Sequence, residues 1–343
     1  MAMNAVSLAF CQALPKVELH AHLNGSLRDS TLAELAGSAA AEGGDGRDVG
    51  KLVEKGDRTL SEVFQVFDLI HEVTTDHSTI ARITKEAIED FRKDGVVYME
   101  LRSTPKCCVA TGMTKRSYVE AMLAGRKDFF RSNPTSGVVV KFILSINRSE
   151  SQESALETVV IADEFRGDNI VGIDLSGNPT KGDFAALLPA LELAKAKSLP
   201  TTLHAGEIPN FKETRMMLDF GPDRVSHMCC TDDEIEAILL QAGIPLELCL
   251  TSNVLTESVA TFEDHHFKKY ARSNHPVVLC TDDPGVFSTT LSREFWIAAA
   301  TFGLNHKDLI EMVESSVEHI FAKDAREGVK KVITEFKAEH YGD

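Results

Sequence analysis

Residues 170–204 read IVGIDLSGNPTKGDFAALLPALELAKAKSLPTTLH. Short apolar runs rich in β-forming residues begin and end this stretch, and both have the length of a buried strand. The residues between them repeat with a helical period, and the apolar stripe they predict consists of Leu187, Leu188, Leu191 and Ala194. A strand, an amphipathic helix and a second strand in this order predict one unit of a parallel sheet with both faces covered.

The same alternation of apolar strand and amphipathic helix continues along the chain. Eight β-rich runs are predicted as strands, at 17–22, 96–102, 138–146, 170–175, 201–204, 224–227, 245–250 and 277–281. An open doubly wound sheet would produce a similar local pattern, but the count favours a closed (β/α)8 or TIM barrel. We therefore expect residues 1–343 to form one α/β barrel domain.

The segment after the first predicted strand is longer than an ordinary crossover. Residues 27–94 contain about three helical patterns, one of them over 59–73, and we expect this insertion to cover a mouth of the barrel. The residues 37–50, rich in Gly, Ala and Asp, predict a surface loop. Residues 291–341 predict further helices outside the barrel.

Composition restricts the class of partner. The chain has 36 Lys plus Arg against 52 Asp plus Glu, a formal charge of −16, which argues against a nucleic-acid partner because phosphate neutralisation needs a basic face. Its seven cysteines are an odd number without a C-x-x-C motif and predict a reducing compartment. No apolar run reaches the length of a membrane span, so we expect a cytosolic monomer with a small-molecule substrate and no membrane partner.

Histidine and aspartate residues stand where predicted strands end, which is where a barrel of this type has its active site. His20 and His22 are two residues apart on a strand, so both imidazoles point to one face and reach one metal ion. His204 and Asp282 end two other strands and add a third nitrogen and an oxygen. Three imidazoles and one carboxylate suit Zn²⁺, and the sequence predicts one zinc ion per chain.

Glu207 is the predicted proton donor or acceptor of the site. It lies three residues after His204, beyond the strand end, where a carboxyl group with a raised pKa moves a proton. The alternative is an ordinary acidic residue at a helix N-terminus. The fourth strand ends without a lysine, which argues against a second metal bridged by a carbamylated lysine, and no G-x-S-x-G motif is present.

Four motifs resemble those of the adenosine/AMP deaminase family of metal-dependent hydrolases. They are KVELHAHLNGS at 16–26, DLSG at 174–177, HAGE at 204–207 and TDDP at 281–284. The match spans nearly the whole chain in the right order. Asn24 and the sequence LRSTP at 101–105 resemble the adenosine deaminase-like branch of that family.

The resemblance implies hydrolytic removal of an amine from C6 of a purine. It implies that Zn²⁺, by lowering the pKa of its water, supplies the nucleophile, and that the ligands are His20, His22, His204 and Asp282. Glu207 would donate a proton to ring N1, and His227 would orient the attacking water. Asp282 also touches that water and would take its proton.

The same resemblance implies contacts to the purine. Asp283 would hydrogen-bond N7, and the backbone N–H of Gly177 would meet N3. His22 and Glu207 would also contact the substrate.

Asn24 predicts a phosphorylated substrate. Nucleoside-specific relatives have Asp at this position, where it meets the sugar 5′-hydroxyl, and an Asp would repel a 5′-phosphate. Two unit charges about 4 Å apart cost about 4 kcal/mol at an effective dielectric of about 20. Asn removes this repulsion and donates a hydrogen bond, while neutral drift with retained nucleoside activity is the alternative.

Further candidates for the phosphate site follow the second strand and lie in the insertion. The residues after the strand are Ser103, Thr104, Pro105 and Lys106, which offer hydroxyls, backbone N–H groups and an ammonium. Lys106 is as readily a surface charge. His71 would reach the same phosphate, or is a partly buried residue of its helix. Asn147 follows the third strand where relatives have Asp, and its role as a ligand stays open.

The expected reaction is hydrolysis of N6-methyl-AMP to IMP and methylamine. One alternative is an adenosine or adenine deaminase that releases ammonia, and a remote one is a barrel that binds a purine without turnover. The remaining histidines, among them the adjacent pair His265 and His266, are predicted to have no chemical role.

Overall fold

The computed structural model describes residues 5–41 and 60–341. Within them eight strands form one sheet, in which each strand is parallel to the next in chain order. The strands are β1 (Lys16–His22), β2 (Val96–Ser103), β3 (Val139–Asn147), β4 (Ile170–Ser176), β5 (Thr201–Ala205), β6 (Arg224–His227), β7 (Leu246–Leu248) and β8 (Val277–Leu279). This alternation with helices is the TIM barrel that the sequence predicts.

The first and last strands meet just beyond the end of β8. Ala21 in β1 pairs in parallel with Asp282. The His22 N–H donates to the Asp282 carbonyl at 2.8 Å, and the Asp282 N–H donates to the His20 carbonyl at 2.8 Å. These hydrogen bonds close the barrel and place Asp282 directly beside the H-x-H motif.

Fifteen α-helices surround or follow the strands in the described residues. They are α1 (Leu8–Ala13), α2 (Asp29–Ala41), α3 (Leu60–Val73), α4 (His77–Lys93), α5 (Lys115–Ser132), α6 (Gln152–Glu164), α7 (Phe184–Ala196), α8 (Phe211–Phe220), α9 (Asp233–Ala242), α10 (Leu250–Leu255), α11 (Phe267–Tyr270), α12 (Pro284–Phe287), α13 (Leu291–Phe302), α14 (His306–Val317) and α15 (Arg326–Tyr341). Short 3₁₀ turns cover Asn24–Ser26, Val109–Thr111, Arg166–Asp168 and Lys323–Ala325.

Helix α7 shows how the local sequence produces the fold. The Asp183 side chain accepts a hydrogen bond from the Ala185 N–H and so satisfies a free donor of the first turn. Leu187, Leu191 and Ala194 are buried on the predicted stripe. The helix therefore covers the sheet between β4 and β5, as the pattern of residues 170–204 predicts.

The insertion between β1 and β2 consists of α2, α3 and α4 in the described residues. The predicted helix over 59–73 is α3, with residue 59 outside the described residues. The predicted loop over 37–50 is wrong at its start, because residues 37–41 belong to α2. Three of those five residues are Ala, which has the highest helix propensity. The rest of that prediction lies outside the described residues.

The barrel interior holds charged residues as well as apolar ones. Arg102, Arg224, Glu100, Asp174 and Glu247 have no exposed surface. Burial of charges requires partners, and these five residues form ion pairs with one another. Within the described ranges, no helix combines the length and the apolar character that crossing a membrane requires.

Candidate active site

The predicted metal ligands converge at the C-terminal end of the barrel. His20 and His22 come from β1, His204 from β5, and Asp282 from the segment that closes the barrel. Nε2 of His20 and Nε2 of His22 each lie 3.3 Å from Oδ1 of Asp282. Nε2 of His22 lies 3.1 Å from Nε2 of His204. Four donor atoms from three parts of the chain thus form one cluster.

Buried carboxylates hold two of these rings in one orientation. Nδ1 of His20 lies 2.8 Å from Glu247 Oε2, and Nδ1 of His204 lies 3.0 Å from Asp174 Oδ1. Burial alone would raise the pKa of Glu247, but the guanidinium of Arg102 holds it well below its usual range, so the carboxylate accepts the proton of Nδ1. In its neutral form each ring then presents the lone pair of Nε2 to the cluster.

These residues fit a zinc ion. Nε2 of His20 is fully buried and has no hydrogen-bond partner within the residues that the structure describes. Donors bound at about 2.0–2.1 Å to a tetrahedral centre lie about 3.4 Å from one another, close to the separations of this cluster. Burial also lowers the pKa of His22 to about 3 and keeps its imidazole in the neutral form that binds metals.

His227, at the end of β6, lies in the same cluster. Its ring centre is 5.0 Å from those of His20 and His204, and together with Asp282 these three residues offer ligand atoms within 4.8 Å of one another. Its Nδ1 lies 3.1 Å from Nδ2 of Asn253 in α10. The backbone of His227 is left-handed, with φ 66°, as is that of Asp282, with φ 64°. Such conformations are costly for residues other than glycine and concentrate at functional sites.

Glu207 has the properties of a proton donor. Burial raises its pKa to about 7, with the Asp282 carboxylate adding to the effect against the opposing His204. Among the described residues its carboxyl group makes no hydrogen bond, so it is available to a ligand. A carboxyl group whose pKa is near neutrality both gives and takes a proton at physiological pH.

Asp283 directly follows Asp282 of the cluster, and Gly177 directly follows the last residue of β4; their contacts to a purine stay a prediction. Asp283 packs against the 3₁₀ turn of Asn24–Ser26, and a Cβ on Gly25 would be only 1.6 Å from Asp283 Oδ1. Burial, and after it the charge of Asp282, raises the pKa of Asp283 well above its usual value. A carboxyl group in its protonated form can donate a hydrogen bond as well as accept one.

Asn24 is held in one orientation by hydroxyl groups. Thr74 Oγ1 uses its hydrogen on the Ile70 carbonyl at 2.7 Å, so it accepts from Nδ2 of Asn24 at 3.1 Å. On the other side, Tyr118 Oη donates to Asn24 Oδ1 at 2.9 Å. Ser103 Oγ lies 2.6 Å from Tyr118 Oη and 3.3 Å from Asn24 Oδ1.

Lys106 belongs to the same hydrogen-bond network. Its Nζ donates to Thr74 Oγ1 at 2.9 Å and to the His71 carbonyl at 3.2 Å. Within residues 5–41 and 60–341, no carboxylate lies in ion-pair distance of this ammonium. Burial therefore lowers the pKa of Lys106 to about 8. The charge of this half-buried ammonium is therefore not balanced by a carboxylate among the described residues.

The other predicted substrate residues are placed as follows. The side chain of His71 is exposed on α3, and its carbonyl accepts a hydrogen bond from Lys106. Thr104 and buried Pro105 follow β2 directly. Asn147 Oδ1 accepts from the Ser149 N–H at 2.9 Å, and the same amide lies about 3 Å from where a Cβ of Gly177 would be. Asn147 thus supports the turn beside Gly177, and its role toward a ligand stays a prediction.

Sequence reasoning gave no orienting role to the residues that hold the cluster, although it quoted Asp174 in the DLSG motif. They are Glu247 and Asp174, which hold the imidazoles, Ser252, whose hydroxyl donates to Asp282 Oδ2 at 2.6 Å, and Tyr118 and Thr74, which hold Asn24. One signal was available for two of them. Glu247 and Asp174 are single acidic residues inside apolar strand sequences, where an unpaired charge is not tolerated.

Comparisons with known proteins agree with this geometry. Residues 15–336 match the model of a protein family described as adenosine deaminase. The chain is 46% identical over 337 residues to the N6-mAMP deaminase of Arabidopsis thaliana, covering 92% of this chain and 95% of that protein. It is 41% identical over 329 residues to the N6-methyl-AMP deaminase of Homo sapiens, covering 92% and 91%. A solved structure of Arabidopsis ADAL complexed with IMP superposes with a TM-score of 0.91 at 44% identity, covering 96% of this chain and 99% of that one.

Proposed function

The chain belongs to the adenosine deaminase family and is a hydrolytic deaminase that acts on a C–N bond, and from this premise we propose that it converts N6-methyl-AMP and water to IMP and methylamine. Two relatives that match nearly the whole chain carry the name N6-methyl-AMP deaminase. The solved structure of Arabidopsis ADAL holds IMP, which is the product that this reaction would give.

The observation that carries the proposal is the environment of Asn24. A neutral amide stands there, and Lys106 lies one hydroxyl group away with no carboxylate beside it among the described residues. A 5′-phosphate entering this site meets a cation and hydroxyl groups rather than a carboxylate. The site therefore favours a nucleotide over a nucleoside.

The metal-binding part of the proposal assigns one Zn²⁺ to His20, His22, His204 and Asp282. When bound, Zn²⁺ supplies a Lewis acid that makes water nucleophilic near neutral pH. The protein residues position that water, because Glu247 and Asp174 fix the imidazoles and Ser252 fixes Asp282.

The remaining residues move protons and bind the base. Glu207 donates a proton to N1, which makes C6 electrophilic, while His227 orients the attacking water. Asp282 accepts the proton that the water loses and passes it to the departing methylamine nitrogen. The carbonyl at C6 forms as its hydroxyl proton returns to Glu207, so both carboxyl groups end as they began. Asp283 donates to N7 and the Gly177 N–H to N3, and these contacts orient the ring.

The test is steady-state kinetics with four compounds, N6-methyl-AMP, N6-methyladenosine, AMP and adenosine, together with metal analysis of protein purified without chelators. We expect the highest kcat/KM for N6-methyl-AMP and about one zinc ion per chain. Preference for an unphosphorylated nucleoside, with release of ammonia from adenosine, would favour the adenosine deaminase alternative. Zinc-loaded protein that binds purines but turns over none of them would favour a binding protein.

We also propose a cytosolic location. The seven cysteines all lie in the described residues and all are free thiols. Unpaired cysteines in a protein of this size are typical of a reducing compartment.

A further inference from the structure

Two adjacent histidines outside the cluster contact either His227 or Asn253, the residue that hydrogen-bonds the His227 ring. His265 and His266 precede α11, and their rings stack with centres 4.4 Å apart and planes 16° apart. Nε2 of His266 lies 2.7 Å from the carbonyl oxygen of His227. Nε2 of His265 lies 3.1 Å from Oδ1 of Asn253, whose Nδ2 lies 3.1 Å from Nδ1 of His227.

These hydrogen bonds form a series from Phe267 through His265 and Asn253 to His227. The direction of each follows from the first one, between the Phe267 N–H and His265. The Phe267 backbone N–H is only a donor, and it lies 3.0 Å from Nδ1 of His265. Nδ1 of His265 is therefore unprotonated, and the proton of this neutral ring is on Nε2, which donates to Asn253 Oδ1. This bond fixes the Asn253 amide, because the reversed amide would bring two donors together. Nδ2 of Asn253 then donates to Nδ1 of His227.

The series determines which nitrogen of His227 carries the proton. Since Nδ1 accepts a hydrogen bond, the proton of the neutral ring is on Nε2, the nitrogen left for the cluster. An Nε2–H group has no lone pair for a metal ion, but it donates to an oxygen beside the metal. His20 and His204 have the opposite tautomer, because their Nδ1 atoms donate to carboxylates. The surroundings thus separate His227 from His20 and His204, two of the proposed metal ligands.

The backbone of His227 is supported as well. His227 and Met228 have φ angles of 66° and 54°, which are unfavourable for residues with a Cβ. The carbonyl between them accepts a hydrogen bond from Nε2 of His266. This contact holds the chain in the strained conformation that directs the His227 ring into the cluster.

We propose that Asn253, His265 and His266 are positioning residues that fix His227 as the Nε2–H donor to the attacking water. This inference rests on the proposed function for the role of His227. It adds two histidines and one asparagine to the machinery, and all three act through His227.

Asn253→Asp is the most informative variant because it conserves volume and reverses one hydrogen bond. A carboxylate at 253 accepts from His265 as before but also accepts from His227, so the His227 proton belongs on Nδ1. We expect kcat of Asn253→Asp to fall by at least about 100-fold, which is the loss typical when one hydrogen-bond donor to a reacting oxygen is removed. KM should stay near that of the wild type. Asn253→Ala leaves the tautomer free and should lose less. A packing role predicts the reverse order, because Ala leaves a cavity.

His265 and His266 are tested by matched pairs. His265→Gln retains a side-chain N–H for Asn253 and should keep most of the wild-type kcat, whereas His265→Leu should lower kcat with little change in KM. His266→Gln and His266→Leu should differ in the same direction. Equal loss of kcat in the Gln and Leu variants would contradict the proposal.

A second measurement reads the tautomer without turnover. In protein with ¹⁵N-labelled histidine rings, two-bond N–H correlation spectra show which nitrogen of His227 is protonated, with His227→Gln providing the assignment. We expect Nε2–H in the wild type, with and without zinc, and a protonated Nδ1 in Asn253→Asp. A protonated Nδ1 in the wild type would overturn the positioning role even if the enzyme is an active deaminase. Nε2–H in a protein that turns over no purine would remove the proposed function and leave the tautomer assignment standing.

Discussion

Asn24 differs from aspartate by one NH₂ group, and its surroundings are arranged for the amide. The Thr74 hydroxyl accepts from the Asn24 amide and has no hydrogen left for a carboxylate. In Asn24→Asp the new charge would repel a 5′-phosphate and attract the Lys106 ammonium. We expect kcat/KM for N6-methyl-AMP to fall by about two to three orders of magnitude, since repulsion at about 4 Å costs up to about 4 kcal/mol. N6-methyladenosine is the internal control and should be hydrolysed as well as before or better. An equal loss for both compounds would contradict the phosphate role of residue 24.

Lys106 gives the site a pH dependence that only phosphorylated substrates should show. Burial lowers the pKa of its ammonium from 10.5 to about 8, so the cation is present below pH 8 and is lost as the pH rises. KM for N6-methyl-AMP should therefore increase above pH 8, while KM for N6-methyladenosine stays flat. The phosphate itself is already fully ionised in this range. Cys108 and His71 are the neighbouring titratable groups. The variant Lys106→Arg distinguishes the contribution of Lys106 from those of Cys108 and His71, because Arg stays charged throughout this pH range. The increase in KM above pH 8 should be absent in this variant.

We expect Glu207 to transfer protons and not to bind the metal. Glu207→Gln retains the shape of the side chain and removes its acidity, so kcat should fall by about 10²- to 10⁴-fold. The zinc content measured by elemental analysis should stay at the wild-type value, because Glu207 is not among the proposed ligands. A variant that is inactive because it has lost its metal would instead identify Glu207 as a ligand.

At the scale of elements, the 3₁₀ turn of Asn24–Ser26 and the segment after β8 fit together through Gly25. A Cβ at this position would lie 1.6 Å from Asp283 Oδ1 and 2.5 Å from its Cβ, so Asp283 has to move in Gly25→Ala. We expect kcat/KM to fall at least about 10-fold and the free energy of unfolding to fall by about 1–3 kcal/mol. Gly328→Ala in α15 is the control, because nothing lies within 4 Å of its added Cβ. That variant should be as stable as the wild type or slightly more stable. Equal behaviour of the two variants would contradict the contact.

The strands were predictable to within a few residues because each is an apolar run between helical patterns, and β6 begins and ends where the pattern predicts. The convergence of the His and Asp side chains followed from the same pattern, because residues at the C-terminal ends of barrel strands meet at one end of the barrel. The partners of those residues could not be predicted this way. Asn253, His265 and His266 lie in short helices or loops after β7, and their contacts with His227 depend on backbone conformations that hydrophobic periodicity does not encode.

Errors in the predicted elements have a similar origin. The predicted strand over 245–250 is shortened to Leu246–Leu248, because the chain turns into α10 at Leu250. The predicted strand over 277–281 ends at Leu279 as a regular strand, because Asp282 takes a left-handed conformation although it still pairs with Ala21 of β1. Both differences occur at the C-terminal ends of strands, where the chain departs from regular structure to bring polar side chains into the site.

At the scale of the whole molecule, a buried network joins the metal cluster to the opposite end of the barrel. Glu247 contacts Nδ1 of His20 with one oxygen and Nε of Arg224 with the other, at 2.8 and 2.5 Å. Arg224 also donates to Glu100 at 2.7 Å and to the His319 carbonyl at 2.7 Å, and its guanidinium lies 3.6 Å from the Phe321 ring centre. His20, a proposed zinc ligand, is thus oriented by a carboxylate that the C-terminal part of the chain helps to hold through Arg224.

This network predicts a stability effect far from the site. Arg224→Met removes a buried cation between Glu100 and Glu247, and we expect the free energy of unfolding to fall by about 3–5 kcal/mol because uncompensated charges remain inside. Lys337→Met is the control, since Lys337 pairs with Glu314 on the surface and such pairs contribute at most about 1 kcal/mol. Urea denaturation of the two zinc-loaded variants measures the difference. Because Glu247 loses one of its two guanidinium partners, the midpoint of zinc removal by a chelator should also shift to lower chelator concentration in Arg224→Met alone. A variant as stable as Lys337→Met, with unchanged zinc retention, would show that the network neither stabilises the barrel nor orients His20.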